Sequence, residues 1–200
     1  MANEWDKFAS NWDANPLIQD YANNAFLSLL ETLKEHAFDL RGKRVMDFGC
    51  GTGLMSEKLS PLVQEIVSID SSRKMIEQLE EKNLLNVWAL SADVNLGATG
   101  QFPVLTENFD LILACSVCSF LPNFEEKLGV LSEMLNPGGL FVHWDWMQTE
   151  ENLEYGLDLR RVKTAYTKAD LTALKLEQAF DMSTGPQSMP VLMGVARRPH

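Results

Sequence analysis

The sequence predicts an α/β fold built on a doubly wound, mostly parallel sheet, and three observations carry that prediction. Apolar β-rich runs alternate with segments of helical periodicity at least four times along the chain. The first run, Arg44-Val45-Met46-Asp47-Phe48, leads straight into Gly49-Cys50-Gly51-Thr52-Gly53, a loop with glycine at every second position. A helix-compatible stretch, Leu54 to Leu62, follows at once. Finally, an acid lies at or just past the end of each of the first three runs, at Asp47, Asp70 and Asp93. Parallel strands share one carboxyl edge, so these three groups are expected on one crevice, where open α/β sheets bind ligands.

The elements follow in order. An aromatic-rich arm with Trp5, Phe8 and Trp12 precedes an amphipathic helix from Pro16 to Phe38, whose Leu17, Tyr21, Ala22, Ala25, Phe26, Leu29 and Leu33 recur at helical spacing. The rings either staple the arm to the core or close it over a ligand. Glu65 to Asp70 reads as the second strand. Ser71 and Ser72 are cap candidates for a helix marked by Met75, Ile76 and Leu79. Asn86 to Leu90 is the third strand, Gly97 to Pro103 a loop, and Phe109 to Ala114 the fourth strand. Asn123 is placed to cap a helix through Leu135, which Asn136-Pro137-Gly138-Gly139 stops ahead of a fifth strand, Leu140 to Trp146. The polar stretch Thr149, Glu150, Glu151 and Asn152 reads as a loop over the site or a short insert. Thr167 and Asp170 have capping-box spacing for a helix to about Phe180. Gly185, Pro186 and Pro190 then lead into a last strand, Val191 to Ala196.

Two hundred residues, 46% of them hydrophobic, suffice for one sizeable core, so residues 1–200 are expected to form one domain with 1–40 as a helical arm or lid. A net charge of −11 disfavours the counterion release that drives nucleic-acid binding. The N-terminus lacks a basic and apolar leader, and the longest apolar run, Leu111 to Leu121, is far short of the roughly 18 residues of a membrane span. Three cysteines fit a reducing compartment better than a disulfide framework. These features point to a cytoplasmic protein that binds neither nucleic acid nor membrane.

A ligand can lie directly on a loop backbone where the loop lacks Cβ atoms and tolerates positive φ, and glycine supplies both. The stretch Asp47 to Gly53, an acid followed by Gly-x-Gly-x-Gly, resembles the first motif of class I S-adenosylmethionine (SAM) dependent methyltransferases, specifically the small-molecule type. Asp70, Asp93 and the Pro137-Gly138-Gly139 turn strengthen the resemblance, which covers roughly Trp5 to Trp146. It implies a Rossmann-like, doubly wound, seven-stranded mostly parallel sheet with an antiparallel terminal strand. It also implies a SAM site that yields S-adenosylhomocysteine. On that resemblance Asp47, Gly49, Cys50 and Gly51 hold the methionine part, Asp70 takes both ribose hydroxyls, and Asp93 takes the adenine amino group beside Val94. Ser71 neighbours the ribose acid, Met75 packs on adenine, the Cys115 carbonyl receives the methionine ammonium, and Trp12 lies over the cofactor.

The charges agree. A dinucleotide brings a pyrophosphate that Asp47 would repel, whereas SAM brings a sulfonium and an ammonium that an acidic rim attracts. The third small residue of the dinucleotide fingerprint falls on Ser56, and no Lys follows the glycines as a phosphate loop requires. The expectation is methyl transfer from SAM to a small molecule. A SAM-binding regulatory protein without turnover and an NAD(P)-dependent oxidoreductase are the competing readings.

Three further groups carry weaker signals. Cys115 and Cys118 have the spacing of a redox pair or half a zinc site, but a second pair at standard spacing is missing and no metal is expected. His143 and Asp145, near the end of the fifth strand, are either a hydrogen-bonded core pair or proton acceptors for an incoming nucleophile. Arg160-Arg161 either holds an anionic substrate group or lies on a solvated helix face. No motif between Met147 and Tyr166 names the methyl acceptor.

Overall fold

A computed structural model describes residues 3–94, 98–149, 156–183 and 188–200. The seven strands form one sheet in the order β3-β2-β1-β4-β5-β7-β6, mostly parallel, with β7 (Ser188–Arg197) antiparallel to both its neighbours, β5 and β6. The chain divides into two compact units, Met1–Val94 and Asn95–His200.

In the first unit the arm forms two 3-10 turns, Glu4–Lys7 and Ala9–Asn11, and runs into α1, Pro16–Glu35. Asn15 caps α1 by accepting from the Leu17 N–H, and Pro16 sits in the first turn, where its missing N–H costs nothing. Tyr21, Ala22, Ala25, Leu29 and Leu33 form the buried face. β1 (Arg44–Phe48), β2 (Glu65–Asp70) and β3 (Val87–Ser91) pair in parallel, Met46 opposite Val67 and Ser68 opposite Ala89. α2 (Leu54–Leu59) and α3 (Arg73–Glu81) make the crossovers. Ser72, the more C-terminal of the two cap candidates, caps α3 by accepting from the Met75 N–H at 3.2 Å.

The second unit holds α4 (Ala98–Gln101), β4 (Phe109–Cys115), α5 (Phe124–Glu133), β5 (Leu135–Trp146), α6 (Leu159–Lys168), β6 (Thr172–Ser183) and β7. β4 and β5 are parallel and buried on both faces, so they read as near-continuous apolar runs.

Four expectations are corrected here. The helix expected from Thr167 to Phe180 is strand β6, although Ala, Leu, Lys, Glu and Gln are good helix formers. Pairing with β7 along the whole segment, from Thr172 opposite Arg197 to Ser183 opposite Ser188, overrides that local preference. The helix lies just upstream as α6, capped by Asp158 and burying Val162, Ala165 and Tyr166. The Thr167 hydroxyl bonds back to the Lys163 carbonyl within α6, and Asp170 turns the chain out at φ +54°. Asn123 stands at the start of α5 without a capping side-chain bond. The turn Asn136 to Gly139 is absorbed into β5, its irregularity appearing as a register shift between Phe109 and Leu111. Part of the loop expected from Gly97 to Pro103 is helical, as α4. Glu150, Glu151 and Asn152, and the turn residues Gly185 and Pro186, lie outside the described residues.

Candidate functional site

At the carboxyl end of β1, Gly49, Gly51 and Gly53 all take left-handed φ, at 68°, 54° and 80°. The Gly49 and Cys50 N–H groups donate to the Ile69 carbonyl at 2.7 and 3.0 Å, which ties the loop to the end of β2. Gly53 is required twice over, because a Cβ there would also clash with Leu79 Cδ1 where α2 starts against α3. Gly51 is the open member of the set. A Cβ at its position would lie 3.5 Å from the Trp12 indole nitrogen, an ordinary contact, so its conformation demands glycine and its surface is bare backbone.

Asp70 organises this loop. One carboxylate oxygen accepts from the Gly51 N–H at 2.9 Å and the other from the Ser72 N–H at 2.7 Å. Burial raises its pKa, and these two backbone donors pull the other way. Asp47, expected on the rim with Asp70 and Asp93, is instead 1% exposed. It accepts from the Ser56 hydroxyl at 2.5 Å, and Ser56 in turn meets the Ser68 hydroxyl at 2.7 Å. Burial pushes Asp47 up to about 6, against the lowering effect of the Ser56 bonds. Asp47 therefore remains mostly ionised at neutral pH and acts as a charge beneath the loop. Ser56, fully buried against it, is no close-approach position for a pyrophosphate.

The remaining residues expected at the site are placed as follows. Ser71 is exposed and accepts from Asn3 Nδ2 at 2.8 Å. Met75 is buried on α3, Asp93 is exposed past β3, and Val94 is buried. Burial raises the Cys50 thiol well above its ordinary value, with Asp47 and Asp70 adding to the effect, so it remains protonated. In the second unit Cys115 ends β4 half-buried, and Ser116 follows at φ +59° with its N–H on the Trp144 carbonyl at 2.7 Å.

His143 and Asp145 are fully buried. His143 Nδ1 lies 2.9 Å from Asp145 Oδ2 and Nε2 lies 2.9 Å from the Tyr166 hydroxyl, while Asp145 Oδ1 accepts from the Ser119 N–H at 2.8 Å. Burial lifts the Tyr166 pKa well above its ordinary value and keeps the phenol a donor. Nδ1–H then donates to Asp145, and Nε2 accepts from Tyr166. Gly194 on β7 closes the other side, since a Cβ there would clash with the Tyr166 hydroxyl. Cys118 joins His143 and Asp145 in a group whose ligand-type atoms lie within 4.8 Å of one another. Both ring nitrogens and both carboxylate oxygens are already engaged, so the arrangement is that of a satisfied buried network. Arg161 is held by Glu125 at 2.8 and 3.2 Å, and Arg160 is solvated beside Asp158.

Sequence reasoning missed the polar partners of the arm. Asp6 accepts from the Ser72 hydroxyl at 2.6 Å, and Asp13 is bonded to Thr52 and to Lys82. The signal was present in Trp5-Asp6 and Trp12-Asp13, where each acid stands beside a ring that draws the eye first.

A mostly parallel seven-stranded sheet with an antiparallel β7 is a fold with counterparts among known proteins. The family described as "Methyltransferase domain" matches residues 46–141. Just under half of the chain thus resembles a methyltransferase domain, and the fold is that of SAM-dependent methyltransferases. It is 29% identical over 142 residues to the malonyl-[acyl-carrier protein] O-methyltransferase of Buchnera aphidicola, covering 71% of this chain and 52% of that one. Among solved structures it matches the N-methyltransferase NodS of Bradyrhizobium japonicum in complex with S-adenosylhomocysteine, with TM-score 0.70, 21% identity and coverage of 95% and 91%. A chain from the complex of the Haloferax volcanii Trm112 methyltransferase activator with a methyltransferase matches with TM-score 0.78, 14% identity and full coverage of both. At these identities the structural likeness is one of fold. The chain spans about half the length of the curated relatives it matches.

Proposed function

We propose that this protein transfers a methyl group from SAM to a small-molecule acceptor and releases S-adenosylhomocysteine. The observation that carries this reading is the loop Gly49 to Gly53, its bare backbone at Gly51 braced by Asp70 and underlain by the buried carboxylate of Asp47. Keeping a carboxylate ionised there is costly unless something positive comes to it, and SAM is cationic at two atoms.

SAM supplies a methyl group on a sulfonium, an intrinsically good leaving group. The chain's own tasks are to hold, align and exclude water. The Gly49–Gly51 backbone and Cys50 would receive the methionine part over the Asp47 charge. Asp70, with Ser71 beside it, would accept from the ribose hydroxyls through lone pairs that its two backbone donors leave over. Asp93, Val94 and Met75 would serve the adenine, and Trp12 would cover the loop. His143 and Asp145, satisfied and buried, serve structure, so the acceptor needs either no base or one supplied elsewhere. A net charge of −11 and the ubiquinone biosynthesis O-methyltransferases among the relatives support a small acceptor over nucleic acid. No helix among the described residues is long and apolar enough to cross a membrane, and all three cysteines are free, which supports action in a reducing cytoplasm.

Calorimetry with SAM and S-adenosylhomocysteine tests the foundation: absence of binding of both to the folded protein overturns it. Mass spectrometry of an acceptor panel tests turnover. Tight SAM binding without methylated product would favour a regulatory SAM-binding subunit, and preference for NAD(P) an oxidoreductase.

A further inference from the structure

Carboxylates fasten the arm near both of its ends, Asp6 to the start of α3 and Asp13 to the glycine loop. Near its start, Asn3 donates to the Ser71 hydroxyl at 2.8 Å, and Asp6 accepts from the Ser72 hydroxyl at 2.6 Å. Ser72 is also the residue whose N–H braces Asp70. At its far end, Asp13 accepts from the Thr52 hydroxyl beside Gly51 and pairs with Lys82 Nζ at 2.9 Å, while Lys82 reaches Glu57 on α2 at the same distance. Between these fixings Trp5, Phe8 and Trp12 pack on one another with centroids 6.0 to 6.5 Å apart, and the Trp12 indole lies on Gly51. Lys82 is only 17% exposed in its side chain, so its ion pairs lose less to hydration than fully exposed pairs, while Asp13 and Glu57, at 39% and 54%, leave them open to screening by salt.

We propose that Lys82 is a positioning residue for cofactor exchange: by clamping Asp13 to Glu57 it latches the arm, and with it Trp12, over Gly51, so that SAM and S-adenosylhomocysteine pass only when this latch opens. The proposal rests on the SAM reading for its ligand, but the latch itself is a property of the protein alone. Its position, immediately after α3 and far from the glycine motif in sequence, explains why no motif marks it. The latch is electrostatic at Asp13 and polar at Asp6, whereas the ring cluster between them supplies the cover. Removing the Lys82 charge, and with it both ion pairs, should therefore loosen the arm without removing the cover.

The test uses the whole protein and two readouts. In the ligand-free protein, hydrogen exchange of residues 3–15 should rise about fivefold in Lys82→Met, which keeps the aliphatic stem and removes the charge, and return towards wild type in Lys82→Arg. Exchange should also rise with salt in the wild type and not in Lys82→Met. In stopped-flow tryptophan fluorescence, S-adenosylhomocysteine release should accelerate about fivefold in Lys82→Met, and association should also quicken, so that the rates change more than the Kd. Asp13→Asn breaks the same pair from the arm and replaces Lys82→Met should that variant be poorly folded. Unchanged arm exchange and unchanged release in folded variants overturn the latch. If the wild type binds neither ligand, the SAM reading fails, and the exchange measurement still decides whether the latch exists.

Discussion

Replacing Asp47 with asparagine removes a charge that the native state carries at a cost, and the pH dependence of that cost follows from the structure. The carboxyl is buried, and its pKa rises from 3.8 to about 6 chiefly for that reason. Below pH ~4 it is protonated in both native and unfolded chains, and ionisation penalises neither. Between 3.8 and about 6 the unfolded chain has lost the proton and the native one keeps it, so native stability falls as pH rises through this window. Above it the loss is complete, about 3 kcal/mol at about 1.4 kcal/mol per tenfold. The substituted amide would still accept from the Ser56 hydroxyl, but it brings donors into the pocket that cost about 1 kcal/mol. Urea unfolding followed by circular dichroism should therefore show Asp47→Asn about 2 kcal/mol more stable than wild type at pH 7.5. Near pH 4 the order should reverse, to about 1 kcal/mol less stable. Taking the difference between the two proteins cancels the other carboxylates. The same variant should bind SAM more weakly. Parallel stability curves from pH 4 to 8 would refute the reasoning, because they would mean that Asp47 titrates alike in both states.

Other outcomes follow from the same geometry. Asp70→Asn replaces the acceptor that braces Gly51 and Ser72 with a neutral amide and should weaken SAM binding by roughly ten- to a hundredfold in calorimetry while leaving the fold intact. Gly53→Ala should destabilise by about 2–3 kcal/mol, because its Cβ would meet Leu79 and its φ is +80°. In the Gly53→Ala, Leu79→Ala double variant the two losses should add to less than their sum, as the clash is then absent. His143→Leu leaves the buried Asp145 carboxylate and Tyr166 hydroxyl without their shared partner and should cost about 3–5 kcal/mol. His143→Gln, which can still donate to Asp145, should recover much of that in thermal unfolding.

Most of the sheet was legible in the sequence because its strands advertise themselves. β1, β2 and β4 are buried on both faces and read as apolar runs, and the cap Ser72 stands where a helix begins. The failure at β6 has a definite cause. Its residues favour helix locally, and only β7, contributed from further along the chain, gives its backbone a better set of partners. The site was legible in part for a related reason. Glycine loops and strand-end acids have fixed spacing, but the destination of a side chain does not. Asp47 was expected at a rim and lies under the loop, and the carboxylates of Asp6 and Asp13 fasten to residues 66 and 69 positions away, Ser72 and Lys82.

By itself the sequence determined the kind of loop that follows β1, since alternating glycines after a buried strand admit few backbones, and the acids Asp47 and Asp70 raised the expectation of a cationic ligand over a phosphate. Only the tertiary structure decided what each acid does. Burial pushed the Asp47 carboxyl up to about 6, the Gly51 and Ser72 N–H groups made Asp70 the brace of the loop, and Lys82 paired with Asp13 beside it. The reason is physical: spacing along the chain sets where a strand ends, whereas hydration and partners, which set the energy of a charge, depend on what the rest of the chain brings to it.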